Sequence, residues 1–502
     1  MAANRIVFSW VVMVMAGLAA CSQQQPTSKS ADAEDRPASD APIAPAFGSR
    51  SAFPATLASS VQSGATPAFG FRAHRQYMRQ QGPSMIVYEA IAAADYTGDG
   101  RTDLVALPHT HNQIELFVQQ PDGVLAPPRI FPFGGENSYV GRQMVTNDFN
   151  GDQISDVAFP TVSASGSSGG IGLLLSTKGG APVYRQGYPD GAVGGAASIG
   201  ATLDVDGDGR QDIVGAHNVR VDEEHERCGA PPELYCPGYS VSYGDGRGNF
   251  SAPQVFQLRM PFFVRELAAH DLNSDGTTDL VMAMAALNDP TSSGQLMVAD
   301  RLPGGGLAAP RKLYSTPSIL EPVVFGDMNG DGLDDTLTGG FEVHLQSVDG
   351  SFGPALYLST ATMDPRSAIV ADFDGDGYKD VINHQFSGFG TVPFLAVYLQ
   401  RNKTLAAPFL IQDPAWNFAF HVSNHPLAYA AGDLNGDGCN DLAVAVGADG
   451  ISFLDGINCT RRVIPRPDES RFYRTRPASS PGKTQPGKAG SRVRLVLDGV
   501  PQ

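Results

Sequence analysis

Asp204-Val205-Asp206-Gly207-Asp208-Gly209-Arg210-Gln211-Asp212 sets carboxylates at the first, third, fifth and ninth places of a nine-residue run, with Gly at the sixth. Oxygens at that spacing, completed by the backbone carbonyl of the seventh residue, suit a hard cation such as Ca²⁺, and Gly at the sixth place permits the sharp turn between ligands. The run recurs seven times, with first aspartates 53, 56, 67, 56, 45 and 61 residues apart. The other ligand sets are Asp95, Thr97, Asp99 and Asp103; Asp148, Asn150, Asp152 and Asp156; Asp271, Asn273, Asp275 and Asp279; Asp327, Asn329, Asp331 and Asp335; Asp372, Asp374, Asp376 and Asp380; and Asp433, Asn435, Asp437 and Asp441. A single acidic turn is commonly just solvated; seven in register point to a metal requirement.

An EF-hand would need a bidentate Glu at the twelfth position and flanking helices. That position holds Ala106, Phe159, Gly215, Met282, Thr338, Asn383 and Val444. In most copies the final Asp opens a short apolar run, as in Leu104-Val105-Ala106-Leu107 and Leu442-Ala443-Val444-Ala445, which reads as a strand. A period near 50 residues marks a repeat fold. Each unit offers an approach strand, the acidic loop, a second strand, a variable connection, a third strand, a turn carrying Asp or Gly, and a fourth strand. Four strands in each of seven units is the pattern of an all-β, seven-bladed β-propeller, over residues 66–465.

These loops, spaced by strand pairs and by turns such as Gly244-Asp245-Gly246-Arg247-Gly248-Asn249-Phe250, resemble the FG-GAP/VCBS repeats of integrin alpha-subunit propellers and of many bacterial surface proteins. The resemblance implies calcium as cofactor, in up to seven structural sites, and places each acidic loop between the first and second strands of a blade. It leaves function open, because that fold hosts lectins, adhesion modules and polysaccharide lyases. Two loops depart from the pattern: Gln153 replaces Gly, and Thr97 stands where the others have Asn or Asp. These two should bind calcium most weakly.

The formal charge of -17 has the same origin, since the ligand positions alone hold 23 aspartates. Seven Ca²⁺ ions would leave about -3, so the acidity is no sign of a basic partner. No basic stripe with interleaved aromatics argues for nucleic acid in the repeat array. Residues 1–21 read as a targeting segment: Arg5, an apolar run from Ile6 to Leu18, then Leu18-Ala19-Ala20-Cys21, which resembles a bacterial lipobox. That resemblance implies cleavage before Cys21 and its lipidation, and Ser22 after it favours the outer membrane of a Gram-negative cell. Residues 22–65, rich in Ser, Ala, Pro and Gln, read as a flexible tether, and residues 466–502 as a disordered basic tail. Of the remaining cysteines, three pairings are open; Cys228 with Cys236 and Cys439 with Cys459 are the easiest geometrically, in keeping with an oxidising compartment. Zinc lacks a supporting His spacing.

With calcium on one face, ligands would meet the opposite one, where connections vary. Candidates there are His109, His111, His217, His384, Trp416 and His421, as rings to stack on sugars or groups to bond hydroxyls. No G-x-S-x-G, H-E-x-x-H or P-loop is present. The expected function is a lipid-anchored envelope module that binds glycan or protein. Alternatives are a surface polysaccharide lyase or hydrolase, with His109 or His111 as base, and a scaffold within an envelope assembly.

Overall fold

A computed structural model of the chain describes residues 68–460, except 73–74, 78–79, 82–83, 86–87, 109–111, 134–138, 141–143, 163–167, 195–199, 221–234, 259, 261, 287–293, 317–319, 321, 340, 359–367, 386–393, 412–427 and 446–449. All of these belong to the second of two compact units, Pro45–Gln502; the first, Met1–Ala44, lies outside the described residues. So do Cys21, the tether, the basic tail and Cys228, the expected disulfide partner of Cys236, which itself falls in the strand Tyr235–Ser242.

The fold is a seven-bladed propeller of antiparallel sheets whose first strands line the ring and whose fourth strands lie outermost. Blade 1 consists of Tyr88–Ala94, Asp103–Pro108, Gln113–Phe117 and Arg129–Pro132; blade 2 of Val145–Asn147, Asp156–Val162, Ser168–Leu175 and Val183–Gly194. Ala201–Leu203, Asp212–Arg220, Tyr235–Ser242 and Gln254–Gln257 form blade 3. Phe262–His270, Asp279–Ala286, Gly294–Ala299 and Arg311–Thr316 form blade 4. Blade 5, with Val323–Gly326, Asp335–Thr338, Glu342–His344 and Leu356–Tyr357, has the shortest strands. Blade 6 is Ala368–Ala371, Asp380–Gln385, Phe394–Tyr398 and Phe409–Ile411.

Every second strand begins at the ninth residue of an acidic loop, so all seven loops join first strand to second. The apolar runs that follow are buried on both faces, because inner strands lie between neighbouring blades: Leu104, Val105, Ala106 and Leu107 are all 0% exposed. Fourth strands face water and carry residues such as Arg129, Gln254 and Arg311 instead.

Blade 7 unites the two ends of the array. Its first three strands are Tyr429–Gly432, Asp441–Ala445 and Ile451–Leu454; its fourth is Arg75–Tyr77, antiparallel to the third through Arg75–Phe453, Gln76–Ser452 and Tyr77–Ile451. Two strands compete for this place on sequence grounds, Val463-Ile464 and Phe69-Gly70-Phe71. An N-terminal strand does close the blade, but a few residues further on. Gly70–Phe71 instead pairs with Gly456–Ile457, beyond the third strand, and Val463-Ile464 lies outside the described residues. A closing strand drawn from the opposite end of the array removes the exposed edges that an open ring would leave.

Candidate metal centres

Each acidic loop is tied by a repeated set of backbone bonds. The sixth-position N–H donates to the first-position carboxylate in all seven, from 2.7 Å (Gly100 to Asp95) to 3.0 Å (Gly438 to Asp433). The seventh-position N–H donates to the fifth-position carboxylate, at 2.8–3.0 Å. The sixth residue is left-handed throughout, with Gly at φ of 81–93° and Gln153 at 68°. Gln153 therefore keeps the loop's shape at the cost of a side chain in a region that favours Gly.

The ninth aspartate has a second occupation that its place in a ligand set does not reveal. One of its oxygens accepts the N–H of the residue just past the third strand: Gln119 to Asp103, Ser176 to Asp156, Gly244 to Asp212, Arg301 to Asp279, Gln346 to Asp335, Gln400 to Asp380 and Gly456 to Asp441. The other accepts the second-position N–H in six loops, at 2.8–3.1 Å. The exception is Asp279, whose Oδ2 is buried with no hydrogen-bond partner. Burial pushes these carboxyls up, to about 6 at Asp103, Asp212, Asp279 and Asp335 and to about 7 at Asp156, Asp380 and Asp441.

The loops are also where blades meet, each contacting the following blade. Gly179, Gly248 and Gly306 donate N–H to the carbonyls of Thr97, Phe149 and Val205. The side-chain amides of Gln346, Gln400 and Gln119 donate to the carbonyls of Leu272, Asp327 and Asp433, and Thr460 N–H to that of Asp374. Contact is so close at Gly123 that a Cβ would lie 1.9 Å from the Asn435 carbonyl oxygen, which only Gly allows. The apolar second positions Tyr96, Phe149, Val205, Leu272, Met328, Phe373 and Leu434 are buried at these joints. Phe250 packs edge-on against Phe149 at 5.6 Å. At loop 6 that place is taken by Phe71 from the N-terminal end, 5.9 Å from Phe373.

Carboxylate oxygens gather most closely in two loops: Asp204, Asp206 and Asp208, and Asp372, Asp374 and Asp380, each within 4.8 Å of one another. Oδ1 of Asp372 is, like Oδ2 of Asp279, buried with no hydrogen-bond partner. Hard oxygen donors, orphaned buried oxygens and a left-handed sixth residue together fit a divalent cation of the calcium type.

Cys439, at the seventh place of loop 7, is disulfide-bonded to Cys459 with Cα atoms 5.7 Å apart. His384, expected on a variable connection, lies within the second strand of blade 6, opposite Leu395. It is 5% exposed, and burial pushes its imidazole down to about 3. His217 also falls in a strand, paired with Gly238. His109, His111, Trp416 and His421 lie outside the described residues. The joint-forming Gln119, Gln346 and Gln400 escape a reading of single loops. Their signal is positional, each following a third strand and preceding Leu125, Phe352 or Leu405 in an antiparallel pairing.

The profile of the FG-GAP-like repeat family matches residues 95–159 and 327–382. No curated protein matches the chain. Among solved structures, rhamnogalacturonan lyase YesW is 12% identical, with 79% of this chain and 75% of that one covered and a TM-score of 0.39. The rhamnogalacturonan lyase of Bacillus licheniformis is 11% identical over 78% of this chain and 76% of its own, with a TM-score of 0.41. The Dos1 propeller is 12% identical over 78% and 87%, also at 0.41. At such identities the likeness concerns the fold alone. The two matched segments run from loop 1 through loop 2 and from loop 5 through loop 6, so the chain is a seven-bladed β-propeller in which these segments match FG-GAP-like repeats and the same loop geometry recurs in loops 3, 4 and 7.

Proposed function

We propose that this propeller is a calcium-stabilised binding module of a bacterial envelope, held there by lipid on Cys21 and engaging a glycan or another envelope or extracellular protein. The observation that carries the calcium reading is the double use of every loop. Carboxylates crowd at a joint between blades, and a divalent cation bound among them would offset their mutual repulsion where the ring is held together. The ligands would be the first-, third-, fifth- and ninth-position oxygens of each set with the seventh carbonyl. An exported protein is supported by the Leu18-Ala19-Ala20-Cys21 sequence and by the Cys439–Cys459 disulfide, a bond that persists in oxidising compartments.

Partner chemistry is tested with residues 22–502 on glycan arrays and in polysaccharide pull-downs, in calcium and in chelator, with reducing-end and unsaturated-sugar assays on the same samples. Calcium-dependent retention without products is the expected result. Product formation would replace the binding module by a lyase or hydrolase, and retention only in the presence of other envelope proteins would replace it by a scaffold.

A further inference from the structure

Loops 3 and 6 alone carry Asp at the third place, Asp206 and Asp374, and so have four carboxylates; the others have Asn or Thr there. They are also the loops with the closest carboxylate clusters. Among the described residues, an arginine from outside the nine-residue run reaches into these two.

In loop 3 the arginine comes from the next blade. Arg301 follows the third strand of blade 4, where blades 1, 5 and 6 have Gln119, Gln346 and Gln400. Its guanidinium lies 3.7 Å from Asp204 and so close over Gly207 that a Cβ there would be 2.5 Å from it. Its Nε is buried with no hydrogen-bond partner. In loop 6 the arginine comes from the same blade: Arg401 bonds the third-position Asp374 and, at 2.8 Å, the fifth-position Asp376. Arg101 and Arg210 differ, being seventh-position residues folded back on Asp99 and Asp208 of their own loops.

We propose that Arg301 and Arg401 are built-in counter-ions of the two four-carboxylate loops, holding them assembled without metal and lowering their calcium affinity toward that of the asparagine-bearing loops. One arginine charge offsets the one extra carboxylate. The inference rests on the calcium reading for its affinity half only; the half that concerns the metal-free protein stands without it. At loop 6 the guanidinium and the ion compete for the oxygens of Asp374 and Asp376, so binding there displaces Arg401. At loop 3 Arg301 touches the first position only, so it tunes the site by charge.

The test compares the full mature chain with Arg301→Gln, which installs the residue used in three other blades, Arg401→Gln, Arg401→Lys, and Arg129→Gln as an outer-strand control. Calcium binding is followed by calorimetric titration and melting by circular dichroism in chelator. Each arginine-to-glutamine change is expected to tighten a single class of site about tenfold, the effect of one removed charge in a partly exposed site, and to lower the melting temperature in chelator. Arg401→Lys should retain wild-type affinity and the control should change neither reading. Unchanged affinity and unchanged melting in chelator at Arg301→Gln and Arg401→Gln would overturn the proposal. Wild-type protein that binds no calcium would overturn the calcium reading, and melting in chelator would then decide the counter-ion role by itself.

Discussion

Asp331 and Asp335 stand four residues apart in loop 5, with the same side chain in different surroundings. Asp335 is 0% exposed and accepts the N–H groups of Met328 and Gln346, at 2.9 and 2.8 Å, tying the start of the loop and the turn after the third strand to the start of the second strand. Asp331 is exposed, accepting the N–H of Leu333 and the side-chain amide of Asn329. The same contrast in burial between ninth and fifth positions recurs in loops 1 to 4, whereas the fifth-position Asp376 and Asp437 of loops 6 and 7 are half-buried. It separates two requirements that a ligand motif merges: the ninth carboxylate is needed for the blade to close whatever the metal content, whereas the fifth contributes mainly when an ion is present.

The largest expected effect is at the buried end. Asp335→Ala leaves two buried backbone donors without acceptors, at about 1–3 kcal/mol each, so urea unfolding should report a loss of roughly 2–6 kcal/mol in both calcium and chelator. A loss confined to calcium would erase the distinction between the two ends.

Loop 7 offers a way to sharpen it, because Cys439 sits between the fifth-position Asp437 and the ninth-position Asp441. Reduction, or Cys439→Ser with Cys459→Ser, should cost about 3 kcal/mol from the freed chain entropy of the unfolded state. The calcium titration should weaken at one site only. Weakening at every site would mean that the seven loops act as one unit.

His384, four residues after Asp380 in the same strand, separates core titration from the loops. Its folded pKa of about 3 lies below the usual 6.5, so the unfolded chain takes the proton first and stability falls as pH drops from 6.5 toward 3. Each unit of pH in that window should cost about 1.4 kcal/mol at most. The buried ninth carboxyls, with pKa values raised by burial, act in the opposite sense. Subtracting the melting profile of His384→Leu from that of wild type isolates the imidazole, and parallel profiles would contradict its burial as the cause. The smallest effect is expected at the exposed end: Asp331→Asn in chelator should change stability by less than about 0.5 kcal/mol, while calcium stoichiometry falls by one.

Much of this arrangement was legible in the residues. The D-x-[DN]-x-D-G spacing, with an apolar second position and an apolar run after the ninth, announces loop, strand start and period together. The closing strand was harder to read, because Gly70–Phe71 and Arg75–Tyr77 are too short to show alternation. Polar Asn383-His384-Gln385 looked like a connection, yet its backbone continues a ladder with Phe394–Tyr398, and burial of His384 is set by packing that a local pattern does not encode. Gln119 and Gln400 serve loops 314 and 73 residues away in the chain, so their roles emerge only once the blades are placed side by side.

The central claim is that the acidic loops hold calcium at the joints between blades. It is tested most directly by counting calcium on the folded chain after equilibrium dialysis and melting the same samples with and without chelator. The account predicts several bound ions, up to seven, and a melting temperature that falls when they are removed. No retained calcium together with unchanged melting in chelator would contradict it.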